Sequence, residues 1–177
     1  VPPTACIIQE ELGLPETCLS IEIKHGCSGW VVGLNSAASL IMGGCLKRAL
    51  LLCGDTSTLL HSPFDKETRP LFGDAGSCTA LEFDTIASTL EFEHGTRGKD
   101  FKSIYTPVGG CRNAVTAKDL EFIEYGPNQL RRNIDCTMDG MNVFAFGMSV
   151  APKSVKRLAE KYVLNLEQMD YLFLHQA

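Results

Sequence analysis

Apolar and polar positions alternate at Leu19–Ile23, where Ile21 and Ile23 are separated by Glu22, and this period of two predicts a strand. From Trp30 the spacing changes. Val31, Leu34, Ala37, Ala38 and Ile41 fall on one helical face, and Gly43-Gly44 stops the run. Arg48–Cys53, RALLLC, is a continuous apolar stretch of strand length, and predicts a buried strand. Strand, helix, strand in that order predicts a βαβ unit in a parallel sheet. Before it, ACIIQEEL reads as a helix with Thr4 as N-cap and Gly13 as its stop, and Leu14–Cys18 reads as a turn.

Beyond the second strand, Gly54–Ser57 sits at the sheet edge where α/β proteins place their sites. Residues 59–70 read as a loop. Leu71–Ser77, LFGDAGS, reads as a glycine-spaced turn that buttresses the centre, since it lacks the lysine and spacing of a P-loop. Cys78–Phe83 and Ser88–Phe92 predict a hairpin. His94–Asn133 is irregular, with Pro107, Gly109, Gly110 and Pro127, and predicts a long loop carrying short strands. A helix follows from Met141 to about Tyr162, with Val143, Phe144, Gly147, Val150, Val155 and Leu158 on its apolar face. Pro152 predicts a kink or a division into two helices. Lys153, Lys156, Arg157 and Lys161 share a basic face, read first as solvated surface and second as a dock for an acidic partner. Met169–Leu174 predicts a buried strand ending at His175.

Composition narrows the function classes. The chain has 177 residues, 45% hydrophobic, and a net charge of −5 with no run of like charges, which argues against nucleic acid or an anionic membrane as partner. No apolar run is long enough to span a bilayer and no signal peptide is visible, so a cytoplasmic setting is expected. The eight cysteines include no CxxC, and Cys45, Cys53 and Cys78 lie in apolar patterns, which fits reduced thiols better than disulfides or zinc. Val1 opens the chain without a methionine and FLHQA ends it inside a strand pattern, so the chain is expected to be an interior fragment of a longer protein.

The chemistry concentrates at Cys27. It sits between Gly26 and Ser28-Gly29, where a strand turns into a helix. A thiol there meets unpaired amides and the positive end of the helix dipole, which favour thiolate. Most cysteines of such a chain are inert packing, and residue type alone leaves both readings open. His175 also follows a strand pattern. If both strands shared one sheet system, a Cys–His pair at its edge would suit acyl transfer through a thioester.

Five segments in order, HGCSGWVVGLNSAASLI, KRALLLCGDTST, LFGDAGSCTALEFD, MDGMNVFAF and FLHQA, closely resemble the 3-oxoacyl-acyl-carrier-protein synthase III family of the thiolase superfamily. The resemblance implies an α/β fold in five α-β-α-β-α layers, built from two similar halves and paired as a homodimer. This chain would hold most of the N-terminal half over 1–86, a connecting and pocket-wall region over 87–140, and the start of the C-terminal half over 141–177.

The implied reaction is a decarboxylating Claisen condensation of an acyl-CoA with malonyl-acyl carrier protein, which starts fatty-acid synthesis. No cofactor is implied beyond the coenzyme A thioester, which is a substrate. By the resemblance, Cys27 is the acylated nucleophile and His175 hydrogen-bonds the enolate formed on decarboxylation. Phe72, Met138, Gly140 and Phe144 match acyl-pocket positions, and Val1 matches one that reaches the partner subunit's pocket. Lys66 and Arg69 are the nearest basic candidates for phosphate contact. The family's asparagine that works with this histidine, and a glycine-rich loop completing the oxyanion hole, have no counterpart in the chain. Two other readings stand beside this one: a related condensing enzyme of polyketide or other secondary metabolism, and a non-catalytic subunit with the same fold.

Overall fold

A computed structural model describes residues 2–176. They form two compact units. The first takes in the chain up to Cys53 together with Cys78–Leu90, and the second takes in Gly54–Ser77 and the chain from Glu91 onward.

In the first unit, α1 (Thr4–Glu11) starts one residue earlier than its cap was expected to allow. Pro3 holds the N-cap position, Thr4 is already helical, and no side chain caps the end. Proline suits this place because its fixed φ is helix-compatible and its missing N–H would be unpaired there anyway. Gly13 ends the segment at φ +61°, a conformation glycine adopts without a Cβ penalty, and Leu14 N–H then reaches Gln9 C=O at 3.0 Å.

The expected strand at Leu19–Ile23 does not form. A strand needs a hydrogen-bonded neighbour, and among the described residues no segment pairs with it; Leu19 and Ile21 stay more than half exposed. The parallel βαβ unit is therefore not present among the described residues. α2 (Gly29–Met42) does form and ends at Gly43-Gly44, with Gly44 at φ +75°. It lies close on β1 (Arg48–Thr56): a Cβ built on Gly33 would stand 2.5 Å from Leu51 Cδ1. Trp30 Nε1 donates to Thr79 Oγ1 at 3.0 Å, tying the first turn of α2 to β2 (Asp74–Glu82).

β1 is longer than the apolar run and is not buried throughout. Its residues alternate between exposed and half-buried up to Cys53, and Leu50 and Leu52 face outward, because successive strand side chains point to opposite faces. Its hydrogen-bonded neighbour is β2. Asp74–Ser77, expected as part of a turn, is the start of that strand, and Ser88–Phe92 forms no strand to make the expected hairpin.

The second unit is built around polar contacts. Short 3-10 turns at Ser57–Leu60 and Arg69–Leu71 bracket its first segment. The irregular stretch carries β3 (Ile104–Tyr105), paired antiparallel with β6 (Thr137–Met138), and β4 (Ile123–Gly126), paired antiparallel with β5 (Gln129–Arg131) around Asn128 at φ +59°. α3 (Gly140–Tyr162) follows as one continuous helix through Pro152, so the expected division does not occur. Asp139 caps it by accepting from Asn142 N–H at 3.0 Å. Val143, Val150, Val155 and Leu158 are half-buried, whereas Phe144 and Gly147 of the expected apolar face are exposed. The basic face is largely engaged within the unit. Arg157 pairs with Glu93 at 2.8 Å, Lys161 lies 3.8 Å from the same carboxylate, and Lys156 lies 3.7 Å from Glu160. Met169–Leu174 is extended but unpaired and exposed, not the buried strand the pattern predicts. No helix among the described residues is long and apolar enough to cross a membrane.

Candidate active site

Cys27 lies in the first unit, in the turn that opens α2, and is exposed. Gly29 N–H donates to Gly26 C=O at 2.8 Å and closes the turn around Cys27 and Ser28. The helix proper then starts with Val32 N–H on Ser28 C=O at 3.0 Å. Ser28 holds the N-cap position, yet no side chain caps α2. Its hydroxyl is turned to His25, with Nδ1 and Oγ 2.9 Å apart. Apart from Gly29, whose N–H is spent on Gly26 C=O, the first-turn amides have no intrahelical acceptor and stay open to negative charge at residue 27. That arrangement can stabilise an oxyanion formed on a thioester carbonyl.

His175 belongs to the second unit, exposed on the extended segment after the 3-10 turn Leu166–Gln168. Val1 lies outside the described residues. The remaining expected residues are all in the second unit, and they do not share one wall. Met138 and Gly140 line an open cavity of about 940 Å³ together with Leu71, Tyr105, Ile123, Tyr125, Lys102 and Arg131. Phe72 does not line it. Its ring stacks on His61, with centroids 4.2 Å apart and planes at 21°. Phe144 is 65% exposed on α3 and does not line it either. Lys66 and Arg69 have different settings: Lys66 is exposed, while Arg69 donates to Thr58 C=O at 2.5 Å.

What holds the cavity wall is a buried ion pair that the sequence pattern did not reveal. Arg131 Nε stands 2.7 Å from Asp65 Oδ2, with both side chains almost fully buried, and Arg131 Nη2 donates to Asp65 Oδ1 at 3.1 Å and Glu67 Oε2 at 3.0 Å. The Tyr125 ring covers the guanidinium at 4.1 Å. Glu67 and Thr68 amides donate to the same Asp65 carboxylate, as does the Thr68 hydroxyl. Burial alone would push the Asp65 carboxyl up. The Arg131 and Thr68 side chains and the two amides outweigh it and bring its pKa from the ordinary 3.8 to about 2. Ser62 Oγ donates to Leu130 C=O at 2.6 Å and Cys136 N–H to Leu60 C=O at 2.7 Å, so the segment bearing Phe72 is fastened to the segment bearing Met138. Burial pushes the Cys136 thiol up, despite its hydrogen bond with Thr106. Cys136 is therefore held as a neutral thiol in the half-buried wall.

The pair Asp65–Arg131 spans 66 residues, and no local pattern announces it. His25 and Ser28 are three apart and could have been found: serine just before a helix is an N-cap candidate, and a histidine three residues earlier is a competing partner.

Comparison with known proteins agrees with this geometry. Residues 21–98, which include Cys27, Phe72 and both long strands, match the family model described as 3-oxoacyl-[acyl-carrier-protein] synthase III. A putative 3-oxoacyl-[acyl-carrier-protein] synthase 3 of Campylobacter jejuni is 31% identical over 179 aligned positions, covering 100% of this chain and 50% of that protein. A crystal structure of a 3-oxoacyl-(acyl-carrier-protein) synthase III superposes with a TM-score of 0.86 at 31% identity, over 96% of this chain and 51% of that one. The enzyme of that name from Burkholderia xenovorans gives 0.76 at 32% identity, over 96% and 47%. The chain thus spans about half the length of the curated relatives it matches. With the Cys27 turn inside the matched segment and the α/β fold shared across nearly all its residues, this chain is similar to the 3-oxoacyl-acyl-carrier-protein synthase III family in both sequence and fold.

Proposed function

We propose that the chain is the nucleophile-bearing part of a condensing enzyme that joins an acyl-CoA to malonyl-acyl carrier protein and starts fatty-acid synthesis. The observation that carries this is the exposed Cys27 in a closed Gly26–Gly29 turn at an uncapped helix N-terminus, in a chain similar to this family. In the first step the Cys27 thiolate attacks the acyl-CoA carbonyl, a C–S bond to Cys27 forms, and coenzyme A leaves as thiolate and takes a proton. In the second, malonyl loses carbon dioxide, and the electron pair of that bond becomes an enolate to which His175 donates a hydrogen bond. The enolate carbon attacks the Cys27 thioester, a C–C bond forms, and the Cys27 thiolate departs. Met138 and Gly140 would lie along the acyl path, with Leu71 beside them. The coenzyme A thioester serves as substrate, and no other cofactor enters this scheme. A cytoplasmic homodimer, with Val1 contributing to the partner's pocket, and halves divided near 86 and 140 complete the reading.

Intact mass spectrometry after incubation with acetyl-, isobutyryl- and octanoyl-CoA tests it. A gain of one acyl group in the protein, absent in Cys27→Ser, is the expected result. The donor that labels fastest reports the room left by Met138 and Gly140. No adduct with any donor overturns the enzyme reading in favour of a non-catalytic subunit.

A further inference from the structure

We propose that His25 is a positioning residue for Cys27: by holding the Ser28 hydroxyl, it keeps the N-terminus of α2 uncapped and its amides free for the charge that develops at residue 27. The proposal rests on the condensing-enzyme reading above and deepens it.

Serine at an N-cap ordinarily accepts a hydrogen bond from an amide two or three positions on. Ser28 does not. No side-chain cap is made, and its Oγ is 2.9 Å from His25 Nδ1 instead. Its backbone, at φ −88° and ψ 5°, is also not in the extended conformation of a capping residue. The Gly29 N–H to Gly26 C=O bond closes the same turn, so His25 and Ser28 are clasped across Cys27 itself. A freed serine at a helix start competes strongly for nearby amides. Those amides carry the positive end of the dipole. A hydroxyl bonded to one of them would remove a donor that a thiolate or a tetrahedral oxyanion needs. The His25–Ser28 bond therefore removes a competitor from the place where the reaction puts its charge. It also gives up the stability that a cap would add to α2.

The test compares variants of the full chain. Alkylation of Cys27 by iodoacetamide is followed by peptide mapping, which separates it from the other cysteines, and acyl transfer from acetyl-CoA is followed in parallel. His25→Ala is expected to slow both by about fivefold, the equivalent of one N-cap hydrogen bond. His25→Asn, whose side-chain amide reaches Ser28 from the position of Nδ1, is expected to keep the parent rate. The double variant His25→Ala/Ser28→Ala is expected to recover the lost rate, since no hydroxyl remains to cap. A recovery on adding a second substitution is not what damage to the turn would give. His25→Ala at the parent rate, or a double variant as slow as His25→Ala, overturns the proposal. Acylation that ignores His25 leaves the condensing reading intact and sinks this one. Alkylation that follows the expected pattern without any acylation sustains this one and sinks that reading.

Discussion

Around Cys27 the chain is held by one backbone hydrogen bond and one exposed side-chain bond, whereas around Asp65 two amides, a hydroxyl and a guanidinium converge on one carboxylate that is 2% exposed. The two regions divide the labour of a reactive protein. Beyond Gly29, the first-turn amides at the Cys27 turn are left without an intrahelical partner, so charge developing there in the proposed reaction would find donors. At Asp65 both carboxylate oxygens are already engaged by donors, so the charge present there does structural work. An arrangement with free donors costs stability locally, and a saturated one supplies it. Reactivity and rigidity are thus written in the same hydrogen-bonding groups, differing only in whether the acceptor is built in.

The sharpest break in the comparison is removal of each centre. Cys27→Ser should abolish the acyl adduct completely while leaving the urea midpoint close to that of the parent, since the side chain is exposed. Arg131→Ala should do the reverse. It strands a buried carboxylate and should cost about 3–5 kcal/mol of unfolding free energy, read by urea denaturation. Arg131→Lys should recover only part of this, because one ammonium cannot serve both Asp65 oxygens and lie flat under Tyr125.

Acid separates the regions next. The folded-state pKa of Asp65 lies below its ordinary value, so the pair contributes stability above the ordinary pKa and loses it as pH falls through the folded one. Between about pH 5 and pH 2 unfolding free energy should fall by about 2 kcal/mol through this group. Asp65→Asn should flatten that part of the curve, and an unchanged slope would show that the ion pair is not the titrating element. The smallest effect belongs to the exposed ion pairs on α3. Lys156→Ala, which removes a contact at 3.7 Å to a side chain that is itself exposed, should leave the thermal midpoint within experimental scatter.

Long elements were legible from the sequence because their patterns repeat. α1, α2, α3 and β1 all form close to where periodicity puts them. The strands that failed to form share one physical source. Leu19–Ile23 and Met169–Leu174 carry strand-like residues but find no ladder partner among the described segments, and a strand is defined by its neighbour as much as by its own side chains. Pro152 was expected to kink or divide the helix, and the division does not occur: the loss of one N–H left the rest of a 23-residue helix to continue on either side. At the site, Cys27 was legible because glycine, cysteine and helix onset are adjacent in sequence. Met138 and Gly140 were named through family resemblance, and the structure places both on one cavity wall. The clamp that sets their wall was not legible, since Asp65 and Arg131 meet only after the intervening chain has folded.

Trp30 is the only tryptophan of the chain. It stands three residues after Cys27, in the first turn of α2, with its indole N–H on Thr79. An indole so placed is an optical reporter built into the turn that carries Cys27, without a second indole to confuse it. Events at Cys27 that shift the start of α2 can be followed as a change in intrinsic emission, in real time and without a label, so the kinetics of this turn are open to stopped-flow measurement on the unmodified protein.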